Sequence, residues 1–238
     1  MRRIIASITL VFSTLFLSII ALAASFFYSK DIVIHRLARF WAFLHLKMCG
    51  IRVLIRGKEN ILKPPYIIMC NHQSALDIFV LYLSMPFLFK WIAKRQLFSI
   101  PVVGWIMKRA DYISIDRESP REGLKAINDA AQKIRKGLNI LIFPEGTRSK
   151  DGKLLPFKKG VFSLALRAGV PVIPVGINGT GKLQPKESLM PGEKGVIYVN
   201  IGKPILIRGD RSSDKARIMI EARASIEELM AEKNSSDL

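Results

Sequence analysis

The sequence predicts an α/β domain with a mixed, mostly parallel central sheet flanked by helices, preceded by an N-terminal membrane-associated two-helix segment. Three observations predict it. From residue 51 onward, short β-rich runs alternate with helical runs, the pattern of a layered α/β fold. Several β-rich runs are apolar throughout, as strands covered on both faces are. The first 49 residues read instead as two long helices, one apolar and one amphipathic.

Ile4 to Tyr28 contains no charged residue and exceeds the roughly 20 residues that a bilayer span needs. Ala21-Leu22-Ala23 resembles a signal-peptidase site, but the run is longer than a signal core of roughly 7–15 residues, so a retained anchor is expected. Lys30, Arg36, Arg39 and Lys47 follow the run and place the downstream domain in the cytoplasm by the positive-inside rule. In Asp31 to Cys49, Ile34, Leu37, Ala38, Trp41, Leu44 and Met48 recur at spacings of three and four between basic residues. That pattern suits a helix at the membrane interface, and a core-packing helix shares it. Spanning and dipping arrangements of the pair stay open. The expected division is residues 1–49 as anchor and interfacial helix and 50–238 as the folded domain.

In the folded domain, Ile51–Arg56 alternates like a strand, and Tyr66–Cys70 is a buried strand after Pro64-Pro65. Ile78–Ser84 is helical. Lys90–Ala93 and Tyr112–Ile115 are short strands. Pro120–Lys136 is a helix with Ser119 as N-cap, Pro at its first position and Gly137 as its stop. Asn139–Phe143 is a buried strand, and Phe162–Ala168 a helix stopped by Gly169. Val172–Ile177 and Val196–Ile201 are strands, and Asp214–Lys233 is a polar C-terminal helix.

Charge narrows the partners. Lys and Arg total 37 against 19 Asp and Glu, a formal charge of +18, which calls for anionic partners. A nucleic-acid partner is not expected, because no recognised binding motif accompanies the charge. The two cysteines, Cys49 and Cys70, form no CxxC pair, and three histidines make no metal cluster, so no metal is expected.

The chemistry concentrates in Asn71-His72-Gln73-Ser74-Ala75-Leu76-Asp77. Five residues along a regular helix turn 500°, so His72 and Asp77 cannot share one helical face. Ser74 and Asp77 form a capping box with a carboxylate in place of Glu or Gln, which starts a helix at Ser74 and leaves His72 on the preceding turn. His72 is then free to fold back onto Asp77. A carboxylate on one ring nitrogen raises the basicity of the other, which can take a proton from an alcohol.

Asn-His-x4-Asp after an apolar strand resembles the first motif of the glycerolipid acyltransferases, the family of bacterial 1-acylglycerol-3-phosphate acyltransferases. Three further blocks follow in the family's order. Ile115-Asp116-Arg117 resembles the end of a Gly-x-x-Phe-Ile-Asp-Arg motif, with Asp111 at the Gly position and Ser114 at the Phe position. Phe143-Pro144-Glu145-Gly146-Thr147-Arg148-Ser149 reproduces the third motif without departure. Val170-Pro171-Val172-Ile173-Pro174-Val175 resembles the fourth, read mainly as scaffold. Lys94, in Lys90–Phe98, sits in a stretch similar to one in related enzymes.

The resemblance covers roughly residues 50–205 and implies the glycerolipid acyltransferase fold, with residues 50–238 as its catalytic domain. It implies His72 and Asp77 as the catalytic pair. It implies Arg117, Glu145, Gly146, Thr147, Arg148 and Lys94 at the acceptor and its phosphate; the chemistry of a carboxylate at Glu145 suits accepting a glycerol hydroxyl or holding Arg148. A guanidinium fork suits phosphate oxygens. No cofactor is implied beyond acyl-CoA or acyl carrier protein as co-substrate. The expected reaction moves an acyl group to a lysophospholipid, forming phosphatidic acid from 1-acylglycerol 3-phosphate. The alternatives are another acceptor, such as glycerol 3-phosphate or a lyso-aminolipid, or a non-catalytic lipid-binding protein. The expected location is the inner membrane, with the catalytic domain facing the cytoplasm.

Overall fold

The computed structural model describes residues 2–61, 63–116, 119–188, 190–208 and 212–232. Its strands are β1 (Ile51–Arg56), β2 (Ile67–Cys70), β3 (Phe89–Lys94), β4 (Ile113–Ile115), β5 (Asn139–Ile142), β6 (Val172–Asn178) and β7 (Gly195–Ile201). They form one sheet in the order β1-β7-β6-β2-β5-β3-β4. Every neighbouring pair is parallel except β6 and β7. This is the mixed, mostly parallel sheet that the alternating pattern predicts.

Among the described residues the α-helices are α1 (Arg2–Ala24), α2 (Lys30–Cys49), α3 (Leu76–Ser84), α4 (Val103–Arg109), α5 (Pro120–Arg135), α6 (Lys159–Ala168), α7 (Thr180–Leu183) and α8 (Ser212–Ala231). They cover both faces of the sheet. Strand β2 shows why its residues are all apolar. Successive side chains leave a strand on opposite sides. Ile68 and Cys70 enter a core with α2 and α3, while Ile67 and Met69 enter a second core with α5, α6 and α8.

Local signals set the ends of the helices. The Ser119 hydroxyl accepts the Glu122 N–H at the start of α5. Past its end, Gly137 adopts φ 88°, where a side chain is strained. The expected strands and helices all occur, with ends moved by a few residues; Lys233 lies outside the described residues.

Helix α4 is an addition to the sequence reading. It is short and closely follows the preceding turn, where a Cβ on Gly104 would stand 2.2 Å from the Phe98 carbonyl oxygen, and its Ile106 packs with Ala21 of α1 and Ile34 of α2. Short α7 is likewise an addition.

Helices α1 and α2 pack on each other and on the body of the protein. The Trp41 indole donates to the Thr14 hydroxyl at 3.0 Å, and Ser13 meets His45 at 2.8 Å. Ala42, Leu46 and Cys49 of α2 enter the same core as Val80 and Leu81 of α3. Asp31 accepts from the buried Lys90 ammonium at 2.6 Å. Helix α2 is therefore a core helix as well as the amphipathic element read from the sequence. The stretch Ser7–Ala24 has a mean hydropathy of 2.2 and is largely exposed, with Val11, Phe12, Phe16 and Ile19 facing outward. Phe26, Phe27, Phe40, Phe43 and Trp105 extend this apolar surface. An exposed surface of this kind is one that meets a membrane or another protein.

Candidate active site

Strand β2 delivers the site. Just past its end, the Asn71 side-chain amide donates to the Ile177 carbonyl at 2.9 Å and accepts the Ile177 N–H at 2.7 Å, which pins the turn to β6. His72 follows on that turn. Its Nδ1 lies 2.7 Å from Asp77 Oδ2. The same oxygen accepts the main-chain N–H of Gln73 at 2.8 Å and of Ser74 at 2.9 Å. Both amides belong to the turn that precedes α3. Asp77 is wholly buried. A carboxylate partner on Nδ1 assigns the proton to that nitrogen and leaves Nε2 with its lone pair.

The capping box appears in modified form. Asp77 reaches back to Ser74 as expected, but the Ser74 hydroxyl accepts from Leu76 N–H, at 3.2 Å, and regular helix starts at Leu76 rather than Ser74. The His72 ring stacks on Phe143, with centroids 3.8 Å apart and planes 8° apart. Phe143 in turn stacks against Trp91. One edge of the imidazole stays open, with the side chain 16% exposed.

The loop after β5 lies beside this pair. Gly146 has φ 75°, a conformation that glycine supplies without strain. Ser149 N–H donates to the His72 carbonyl at 2.8 Å. Glu145 is 2% exposed, and its oxygens accept the N–H groups of His72 and Leu155. Burial pushes its pKa up to about 7 against the pull of these two amides. Cys70, fully buried behind the site, has its thiol pushed well above the ordinary value by burial and by Asp77 and Glu145, which makes it a poor nucleophile.

A cavity of about 790 Å³ opens from His72. Its polar lining includes His72, Gly146, Thr147, Arg148, Lys94 and Lys186, with Lys186 bonded to Thr147 and Arg148. Its apolar lining includes Leu37, Trp41, Ile78, Ile106 and Met107. Helix α1 supplies Thr14, Leu17, Ser18 and Ala21. A base, a group of cations and a long apolar chamber thus share one space, which suits an anionic amphiphile.

Residues 52–178 match the family model described as Acyltransferase. The chain belongs to the acyltransferase family. It is 35% identical over 201 residues to a 1-acyl-sn-glycerol-3-phosphate acyltransferase of Pseudomonas aeruginosa, covering 84% of this chain and 77% of that protein. It is 39% identical over 186 residues to a chloroplastic 1-acyl-sn-glycerol-3-phosphate acyltransferase of Brassica napus, covering 77% of this chain and 54% of that protein. The chain spans about half the length of the first curated relatives it matches. The crystal structure of the 1-acyl-sn-glycerophosphate (LPA) acyltransferase PlsC from Thermotoga maritima superposes with a TM-score of 0.80 at 27% identity, covering 99% of this chain and 100% of that one.

In this member of the family the structure brings His72 and Asp77 together and lines one cavity with Gly146, Thr147, Arg148 and Lys94. Glu145 differs from the expectation: its carboxylate turns away from the cavity onto backbone amides, not onto Arg148. Arg117 lies outside the described residues. Asp111 adopts φ 56°, which explains why the family's motif has glycine there, and its carboxylate pairs with Lys30 at the start of α2. The sequence reading omitted Lys186, which sits in an irregular segment with no motif. It also omitted the wall supplied by α1, whose apolar pattern reads equally as an anchor.

Proposed function

We propose that this protein transfers a fatty acyl group from a thioester, acyl-CoA or acyl carrier protein, to the sn-2 hydroxyl of 1-acylglycerol 3-phosphate, yielding phosphatidic acid. The observation that carries the reading is the 2.7 Å contact between His72 Nδ1 and the buried Asp77, placed at a cavity lined by cationic and apolar side chains. The names of the relatives support the choice of acceptor.

In the proposed reaction, His72 Nε2 removes the acceptor hydroxyl proton as that oxygen attacks the thioester carbonyl carbon. The C–O bond forms and the C–S bond breaks. The departing thiolate takes the proton back from the imidazolium and leaves as a thiol, so base and acid are one group. Asp77 stabilises the imidazolium in between. Arg148, Lys94 and Lys186 meet the acceptor phosphate, with Arg117 as a further contact by resemblance to the family's motif. The apolar chamber takes an acyl chain. Holding both reactants in one pocket lowers the entropic cost of their meeting. The apolar outer face of α1 seats the protein in a membrane. The basic residues after it favour the inner membrane with the site facing the cytoplasm.

The test is thiol release with acyl-CoA or acyl carrier protein as donor and 1-acylglycerol 3-phosphate, glycerol 3-phosphate or a lyso-aminolipid as acceptor. Turnover with 1-acylglycerol 3-phosphate that disappears in His72→Ala is the expected result. Preference for another acceptor, or an active H72A protein, would overturn it.

A further inference from the structure

The His72 main chain is held by one segment from both sides. Glu145 Oε1 accepts the His72 N–H at 2.6 Å, and Ser149 N–H donates to the His72 carbonyl at 2.8 Å. The next residue joins in, since the Gln73 side-chain amide donates to the Gly152 carbonyl at 2.9 Å. The other Glu145 oxygen accepts Leu155 N–H at 2.8 Å. Beyond that amide, Arg223 of α8 donates to the carbonyls of Leu154 and Leu155 and lies over the Phe157 ring. One carboxylate thus ties the turn after β2 to the segment after β5, with a helix from the far side bracing it.

The imidazole needs two constraints to meet a hydroxyl productively. Asp77 fixes the ring through Nδ1, but it belongs to α3 and does not tie the turn to β5. Glu145 supplies that second constraint. A charged acceptor makes stronger bonds to amides than a neutral one.

We propose that Glu145 is a positioning residue for the general base: its buried carboxylate holds the His72 main chain against the loop after β5, and so sets the distance from the imidazole to the acceptor hydroxyl. This rests on the acyl-transfer reading above and replaces the acceptor contact implied for Glu145 by the motif. The surroundings pull both ways, and burial prevails, pushing the Glu145 pKa up to about 7. Burial and the negative Asp77 oppose ionisation, while the two amides and the Arg223 charge favour it. Only the ionised form leaves both oxygens free to accept without an acidic proton between them.

The test compares the wild-type protein with E145Q, E145D and H72A, varying 1-acylglycerol 3-phosphate at fixed acyl-CoA in mixed micelles. E145Q places an NH2 donor against one of two N–H donors. Its kcat is expected to fall about 100-fold with KM within about twofold, because a base displaced by about 1 Å loses rate rather than ground-state binding. Hydrogen exchange in the peptide containing His72 is expected to rise at least about tenfold as that amide loses its acceptor. A large KM rise with kcat preserved makes Glu145 an acceptor ligand and overturns the proposal, as do unchanged kinetics. If E145Q loses its melting transition, E145D decides. It keeps the charge but is one methylene short of reaching both amides, so a loss confined to kcat supports the proposal and wild-type kinetics overturn it. An inactive wild-type protein instead refutes the acyl-transfer reading, and hydrogen exchange at His72 still reports on the clamp in that case.

Discussion

The Lys186 ammonium lies 2.7 Å from the main-chain carbonyl oxygen of Arg148 and 3.3 Å from the Thr147 hydroxyl. These bonds hold a third positive charge in the cavity's polar lining without neutralising it. Lys186→Met keeps the stem and removes the charge. The KM for 1-acylglycerol 3-phosphate should rise about five- to tenfold, the effect of losing one charge-assisted contact of about 1–1.5 kcal/mol, with kcat little changed. Steady-state kinetics at fixed acyl donor check this, and an unchanged KM would remove Lys186 from the acceptor site.

Asp77→Asn should cost far more turnover than its small change in shape implies. The oxygen that now accepts from His72, Gln73 and Ser74 becomes one end of an amide whose other end donates. His72 is then free to take the wrong tautomer, a fault worth about 10³–10⁴-fold in kcat in comparable triads. Nitrogen chemical shifts of the His72 ring, read beside kcat, separate a tautomer change from misfolding.

Tyr82 and Tyr112 join hydroxyls at 2.6 Å, and the Trp91 indole donates to Tyr82 at 2.9 Å. Burial pushes the Tyr82 hydroxyl up to about 12, so it stays neutral and serves as a hydrogen-bond relay. Tyr82→Phe leaves the Trp91 N–H unsatisfied and should lower stability by about 1–3 kcal/mol. A thermal melt in detergent measures it.

Glu145 gives the stability an unusual pH dependence. Its folded-state pKa is raised to about 7 from the ordinary glutamate value of 4.5. The native state therefore holds this proton more tightly than the unfolded chain does. Its contribution to stability is fully present below pH 4.5 and is lost as pH rises through about 7. Wild type should lose stability relative to E145Q between pH 5 and pH 8, as denaturation midpoints at the two values would register. An equal offset at both pH values contradicts the raised pKa.

Legibility followed the range of each interaction. Helix α5 could be read to within a residue because its cap, its first-turn proline and its stop act locally. The His72–Asp77 pair was legible for the same reason, since a cap at Ser74 decides which side of the helix start His72 occupies. Helix α4 was not, because its position depends on Ile106 packing with Ala21 of α1 and Ile34 of α2. Nor was the direction of Glu145. A motif gives the residue and its neighbours, whereas the amides that claim its oxygens come from positions 72 and 155. The position of Lys186 depends on how the chain turns after α7, where no periodic pattern runs.

Helix α1 is both an outer apolar surface and a wall of the chamber, through Thr14, Leu17, Ser18 and Ala21. Truncating it for solubility would leave the chamber missing one side. A surfactant with a single alkyl tail has the shape of the proposed acceptor's own tail, so it competes for the same space. The choice of solubilising agent therefore becomes a kinetic variable for this protein, and apparent affinities will depend on surfactant tail length as well as on substrate.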